Sequence, residues 1–153
     1  MCWISAKVTK QVAKRDFYVY KIGTHANNSS FIPFYYNDFE YHAIQTVSEL
    51  VAFEGIIEKG LAIIEKGLHS YLSCVLYPIY PRAIDLYTLG DYRYTLSFSL
   101  YSLFLGKFII PKGATYCLNN RGEVVSNMLI YTGNYIELKP STKYDTKKLW
   151  KEK

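Results

Sequence analysis

The chain is poor in the residues that usually announce a chemistry. It has three cysteines, Cys2, Cys74 and Cys117, odd in number, widely spaced and without a CxxC pair. That excludes a disulfide framework and points to a reducing compartment. Histidine is equally scarce. His25, His42 and His69 offer no HxH, HxxxH or HExxH spacing that would set two imidazoles on one face, so no metal site is expected. They read as structural or surface histidines, and His69 would need a polar partner where it enters a core strand. No triad spacing or phosphate loop stands out, and no cofactor is expected. The first sixteen residues, MCWISAKVTKQVAKRD, lack the apolar stretch of a secretory signal. The longest uncharged apolar run, at 95–106, is too short to span a bilayer and is interrupted by serines. These absences predict a soluble, cytoplasmic protein with no membrane contact.

What the chain does have is aromatic surface. Of its 153 residues 50% are hydrophobic and 17% aromatic, the composition of a packed core rather than of disorder. Sixteen of them are tyrosines. Tyr joins a large apolar face to a polar tip, which suits half-buried strands first and ligand pockets second. The net charge of +5 is local: residues 139–153 hold six lysines against Asp145 and Glu152, which is +4 and leaves +1 for the rest. A basic end of this kind is first a solvated tail, and the body lacks the broad basic face of a general nucleic-acid binder. The expected organisation is a single domain at 1–138 followed by a basic tail at 139–153. Leu149 and Trp150 are available to dock a helical turn of that tail.

Along the chain, FYVYKI at 17–22 reads as a strand and GTHANNSSFIP at 23–33 as a loop. Residues 34–42 suit a strand or the wall of a cleft. From Ala43 the three- and four-residue spacing of Ile44, Val47, Leu50 and Val51 predicts a helix. A tandem repeat follows, IIEKGLA at 56–62 and IIEKGLH at 63–69. Two copies with a Gly in each cannot sustain a coiled coil. A duplication that lengthened a hairpin is the better account, with the second copy running into a core strand at 69–71. Pro81, Ala83, Ile84, Leu86, Tyr87 and a closing Gly90 predict a short helix. From Tyr92 the period is two, predicting a strand that shares one antiparallel sheet with 123–131. Further strands are expected at 107–110, 115–118 and 135–138, with turns at PKG 111–113 and NNRG 119–122. The predicted class is α+β, a mainly antiparallel sheet with one or two short helices.

Several residues invite a chemical reading. Removal of Met1 would expose Cys2 as an N-terminal nucleophile, in a start similar to that of N-terminal nucleophile amidohydrolases, but the chain is short for their four-layered fold, and a bystander thiol is the simpler reading. Glu123 opens a strand after Arg121-Gly122, where a carboxylate more often braces a turn than catalyses. A base needs a π-face and phosphates need positive charge. Tyr20, Lys21, His69, Tyr71, Lys112 and Arg121 would supply both if the strands at 17–22 and 69–73 and the hairpin at 111–123 are neighbours.

The segments GLHSY at 67–71, IPKGATY at 110–116 and GEVVS at 122–126, with the opening Met-Cys-Trp and VYK at 19–21, resemble a group of small proteins of gut bacteria and their bacteriophages. The resemblance covers most of the chain and is sharpest from Lys107 onward. It implies a phage or mobile-element setting in the host cytoplasm and brings no activity. A fainter likeness is to ADP-ribosyltransferases, in which Ser70 and Ser73 would match the serine motif and Glu123 the catalytic glutamate. Against that pattern, Lys21 stands where those enzymes place Arg or His, and Arg121 where a second polar residue is usual. The function expected is a non-enzymatic accessory protein that binds a host protein or a small molecule, such as a nucleotide immune signal. A structural or assembly component and a transferase-like enzyme are the alternatives.

Overall fold

The computed structural model describes residues 3–5, 9–25, 30–33, 40–48, 52–57, 61–79, 83–88, 93–97, 103–139 and 142–150. Among them are sixteen strands and no helix. In chain order these are β1 (Trp3–Ser5), β2 (Thr9–Val12), β3 (Phe17–His25), β4 (Phe31–Pro33), β5 (Thr46–Ser48), β6 (Ala52–Ile57), β7 (Leu61–Lys66) and β8 (Leu68–Tyr71). Then follow β9 (Val75–Ile79), β10 (Ala83–Tyr87), β11 (Arg93–Ser97), β12 (Phe104–Ile110), β13 (Thr115–Leu118), β14 (Glu123–Ser126), β15 (Met128–Glu137) and β16 (Tyr144–Asp145).

The α+β class is therefore corrected: the described chain is all-β, in antiparallel sheets. Both expected helices hold a strand in their described residues, at 46–48 and 83–87, while 49–51, 81–82 and 89–90 lie outside the described residues. In β10, Ile84 and Leu86 point into a core while Ala83, Asp85 and Tyr87 alternate with them, so a five-residue window fits a period of two as well as one of 3.6. Pairing with β9 and β11 on its two sides decides the matter. Residues 46–48 likewise pair with β15 as an edge strand. The single sheet expected for 92–100 and 123–131 is also corrected, because β11 lies in a four-stranded sheet and β14 and β15 in the nine-stranded one. Of the cleft wall expected at 34–42, residues 34–39 lie outside the described residues.

The main sheet runs β2-β13-β14-β8-β3-β12-β15-β5, with β4 added to the far end of β3. Its curvature follows from one connection. Only Asn127 separates β14 from β15, yet those strands stand four places apart in the sheet. Flat, four places would be about 19 Å, whereas the Cα atoms flanking one residue lie within about 7 Å. The sheet must therefore curl back on itself as a half-closed barrel. Asn127 secures the corner: its amide donates to the Thr115 carbonyl, and its Oδ1 accepts from the Thr115 amide at 2.8 Å.

Strands β3 and β12 are buried on both faces, which is why FYVYKI and FLGKFII read as nearly continuous apolar runs. Val19, Phe108 and Ile110 point into the barrel, where Phe31, Tyr41, Leu68, Val124, Leu129 and Tyr131 join them. Tyr20, Ile22 and Leu105 point outward onto a second core. That core is closed by Leu76, Ile84, Leu86 and Tyr144 from the four-stranded sheet β11-β10-β9-β16. The first heptad contributes to both strands of the antiparallel hairpin β6–β7, with Ile56 opposite Ala62 and Ile57 opposite Leu61, and β1 pairs with the other edge of β7. The second copy then runs into β8, a strand of the main sheet.

Candidate functional site

Four of the six residues singled out from the sequence come together. Tyr20 stands opposite Tyr71 where β3 meets β8, and the Lys21 ammonium donates to the His69 carbonyl oxygen. They do not share a pocket, because strand alternation splits them. Tyr20 packs in the outer core with Tyr71 against it. Lys21 lies on the barrel side, 5% exposed, with its Nζ 5.5 Å from the centre of the Tyr41 ring. Burial alone pulls the Lys21 amine down to about 7, and among the described residues no carboxylate pairs with it. Burial first, and then the neighbouring Lys21 charge, push His69 down to about 3, so its imidazole is neutral at physiological pH. The serine and glutamate of the transferase likeness are split the same way. Glu123 stands opposite Tyr71, one residue along from Ser70, whose buried hydroxyl has no hydrogen-bond partner among the described residues.

Arg121 lies in the turn before β14, where the Asn119 side-chain oxygen accepts from the Arg121 and Glu123 amides, both at 2.9 Å. Lys112 is exposed just past the end of β12, its amide donating to Asp16 Oδ1 at 2.7 Å. That contact ties the 111–113 turn to the connection between β2 and β3. Gly113 and Ala13 continue it through their backbones, at 2.8 Å.

A groove of about 390 Å³ opens beside this connection. Its apolar floor is Leu72 and Leu118, at the mouth of the barrel core. Phe17 and Tyr116 form one wall, edge to face with ring centres 5.0 Å apart. Lys14 and Arg15, both exposed, stand on the rim. The Tyr116 hydroxyl is braced by Gln11 Oε1 at 2.9 Å, which fixes the ring. The groove thus combines π-faces with cations, the chemistry expected from the sequence, but with other residues. A basic AKRD turn between two strands, followed by Phe17, was the available signal. Its meaning depended on β13 pairing with β2 across about 100 residues, which no local pattern shows.

Among the described residues no three His, Cys, Asp or Glu side chains are grouped to hold a metal ion, and no helix is long and apolar enough to cross a membrane. No protein-family model, curated protein or solved structure matches the chain.

Proposed function

We propose that this protein is a non-enzymatic binder of a nucleotide-like small molecule, held in the groove between the β2–β3 connection and β13. The observation that carries this reading is the pairing of the Phe17–Tyr116 wall with the Lys14 and Arg15 rim over an apolar floor. A base stacks on an aromatic face for about 1–3 kcal/mol, and phosphates are drawn to exposed cations. The described lining residues include no carboxylate, imidazole, thiol or serine hydroxyl, which favours holding the ligand over transforming it. Together with the resemblance to phage proteins, this supports an accessory protein that sequesters a nucleotide signal of its host.

Titration calorimetry with mono-, di- and cyclic dinucleotides tests the reading. The wild type is expected to bind at least one of them and return it intact. Lys14→Ala with Arg15→Ala is expected to weaken binding about 10- to 100-fold, as loss of charge-assisted bonds implies. Tyr116→Leu should weaken it about 5- to 100-fold through lost stacking. Failure of every nucleotide to bind would turn the assignment toward a protein partner.

A further inference from the structure

The four-stranded sheet has an outer face of its own. In the register of β9 with β10, Asp85 stands opposite Tyr77 and Tyr87 opposite Val75. Cross-strand partners share a face, and the intervening Leu76, Ile84 and Leu86 fill the core beneath. The four outward side chains, with Lys143, line a groove of about 500 Å³, within the size range of a small-molecule site. The Tyr77 and Tyr87 rings meet at 84° with centres 5.6 Å apart, two walls of a corner. Asp85, 9% exposed, lines the groove with the two rings, while Tyr77 is 39% exposed and presents its ring to solvent. An ammonium already lies near the Tyr77 ring: Lys143 Nζ, 5.9 Å from its centre, on an exposed side chain that is free to swing away.

We infer that this corner is a binding site for a small organic ammonium ion, walled by Tyr77 and Tyr87, anchored by Asp85 and held in its absence by the Lys143 side chain. Aromatic faces attract cations through the ring quadrupole, and an acidic residue lining the site adds charge complementarity. The site differs from the anion groove in position, in charge and in ligand.

Calorimetry of the full chain with spermidine and with tetramethylammonium chloride, at matched ionic strength, tests it. Both cations are expected to bind. Lys143→Ala should tighten binding several-fold by removing the internal competitor. Asp85→Asn should weaken it by about tenfold or more. Tyr77→Leu, at an exposed position that preserves the fold, should weaken it by about 2- to 30-fold. No binding of either cation by the wild type and by Lys143→Ala overturns the inference. So does undiminished binding by Tyr77→Leu.

Discussion

Lys21 and His69 give the molecule a stability that rises with pH. Folding lowers the Lys21 amine from 10.5 to about 7, so between these values the unfolded chain holds a proton that the fold has released. Stability therefore rises from pH 7 to 10.5, and the whole penalty is present below pH 7. His69 falls from 6.5 to about 3, so as pH drops through that window the unfolded chain takes up a proton that the folded one does not. Its contribution has the same sign. Urea midpoints are expected to climb from pH 4 to pH 9. Lys21→Met should flatten the upper part of that climb and stabilise the protein at pH 7 by roughly 2–4 kcal/mol, since the cost of keeping a buried amine neutral is gone. A variant less stable than wild type at pH 7 would show that the bond to the His69 carbonyl outweighs that cost.

At the scale of elements, β4 shows how a short strand is held. The Phe31 ring lies over Gly106, where an added Cβ would meet ring atoms of Phe31 and Phe108 at 2.7 and 2.9 Å. At Gly23 it would run into the Ile32 carbonyl oxygen, a backbone atom that cannot swing aside. Thermal denaturation is expected to show Gly106→Ala destabilised by about 1–3 kcal/mol and Gly23→Ala by more. These glycines mark what the sequence could and could not show. The hairpin of β13 and β14 was legible because the NNRG turn is local: Asn119 caps it, and Gly122 takes the positive φ of 78° that its last position requires. Strand β3 was legible from its β-branched and aromatic run, although its true end at His25 lay within the expected loop. Strand β4 was not legible, because FIP carries no periodicity and its order comes from Phe31 packing on Gly23 and on Gly106, the second of them 75 residues away. The proposed groove was hidden in the sequence for a related reason. Facing alternation separated Tyr20 from Lys21, and only long-range pairing brought Phe17 beside Tyr116.

At the scale of the whole molecule, the lysine-rich end is part of the structure as far as Trp150. Strand β16 pairs with β9, Leu149 and Trp150 pack on the outer core, and the Trp150 indole stacks on Tyr20 at 5.9 Å and 14°. The Lys107 ammonium sits 3.8 Å from the centre of the Tyr18 ring and 5.8 Å from that of Trp150. Trp150 holds these contacts despite a φ of 53°, an unfavourable region for its side chain. Trp150→Ala is expected to cost about 1–3 kcal/mol in chemical denaturation, less than a fully buried Trp, while leaving nucleotide affinity unchanged. The same interleaving of early and late segments runs through the main sheet, where β3 lies against β12, β2 against β13 and β5 against β15. During synthesis, β3 therefore leaves the ribosome with no strand to cover the edge that β12 will later occupy. Its partner follows some 80 residues later, a delay of roughly 4–16 s at ordinary elongation rates. For that interval FYVYKIGTH is an unpaired, aromatic strand edge of the kind that other chains seek. The nascent protein is then a natural client for a holding chaperone, and its yield should depend on how quickly translation reaches Ile110.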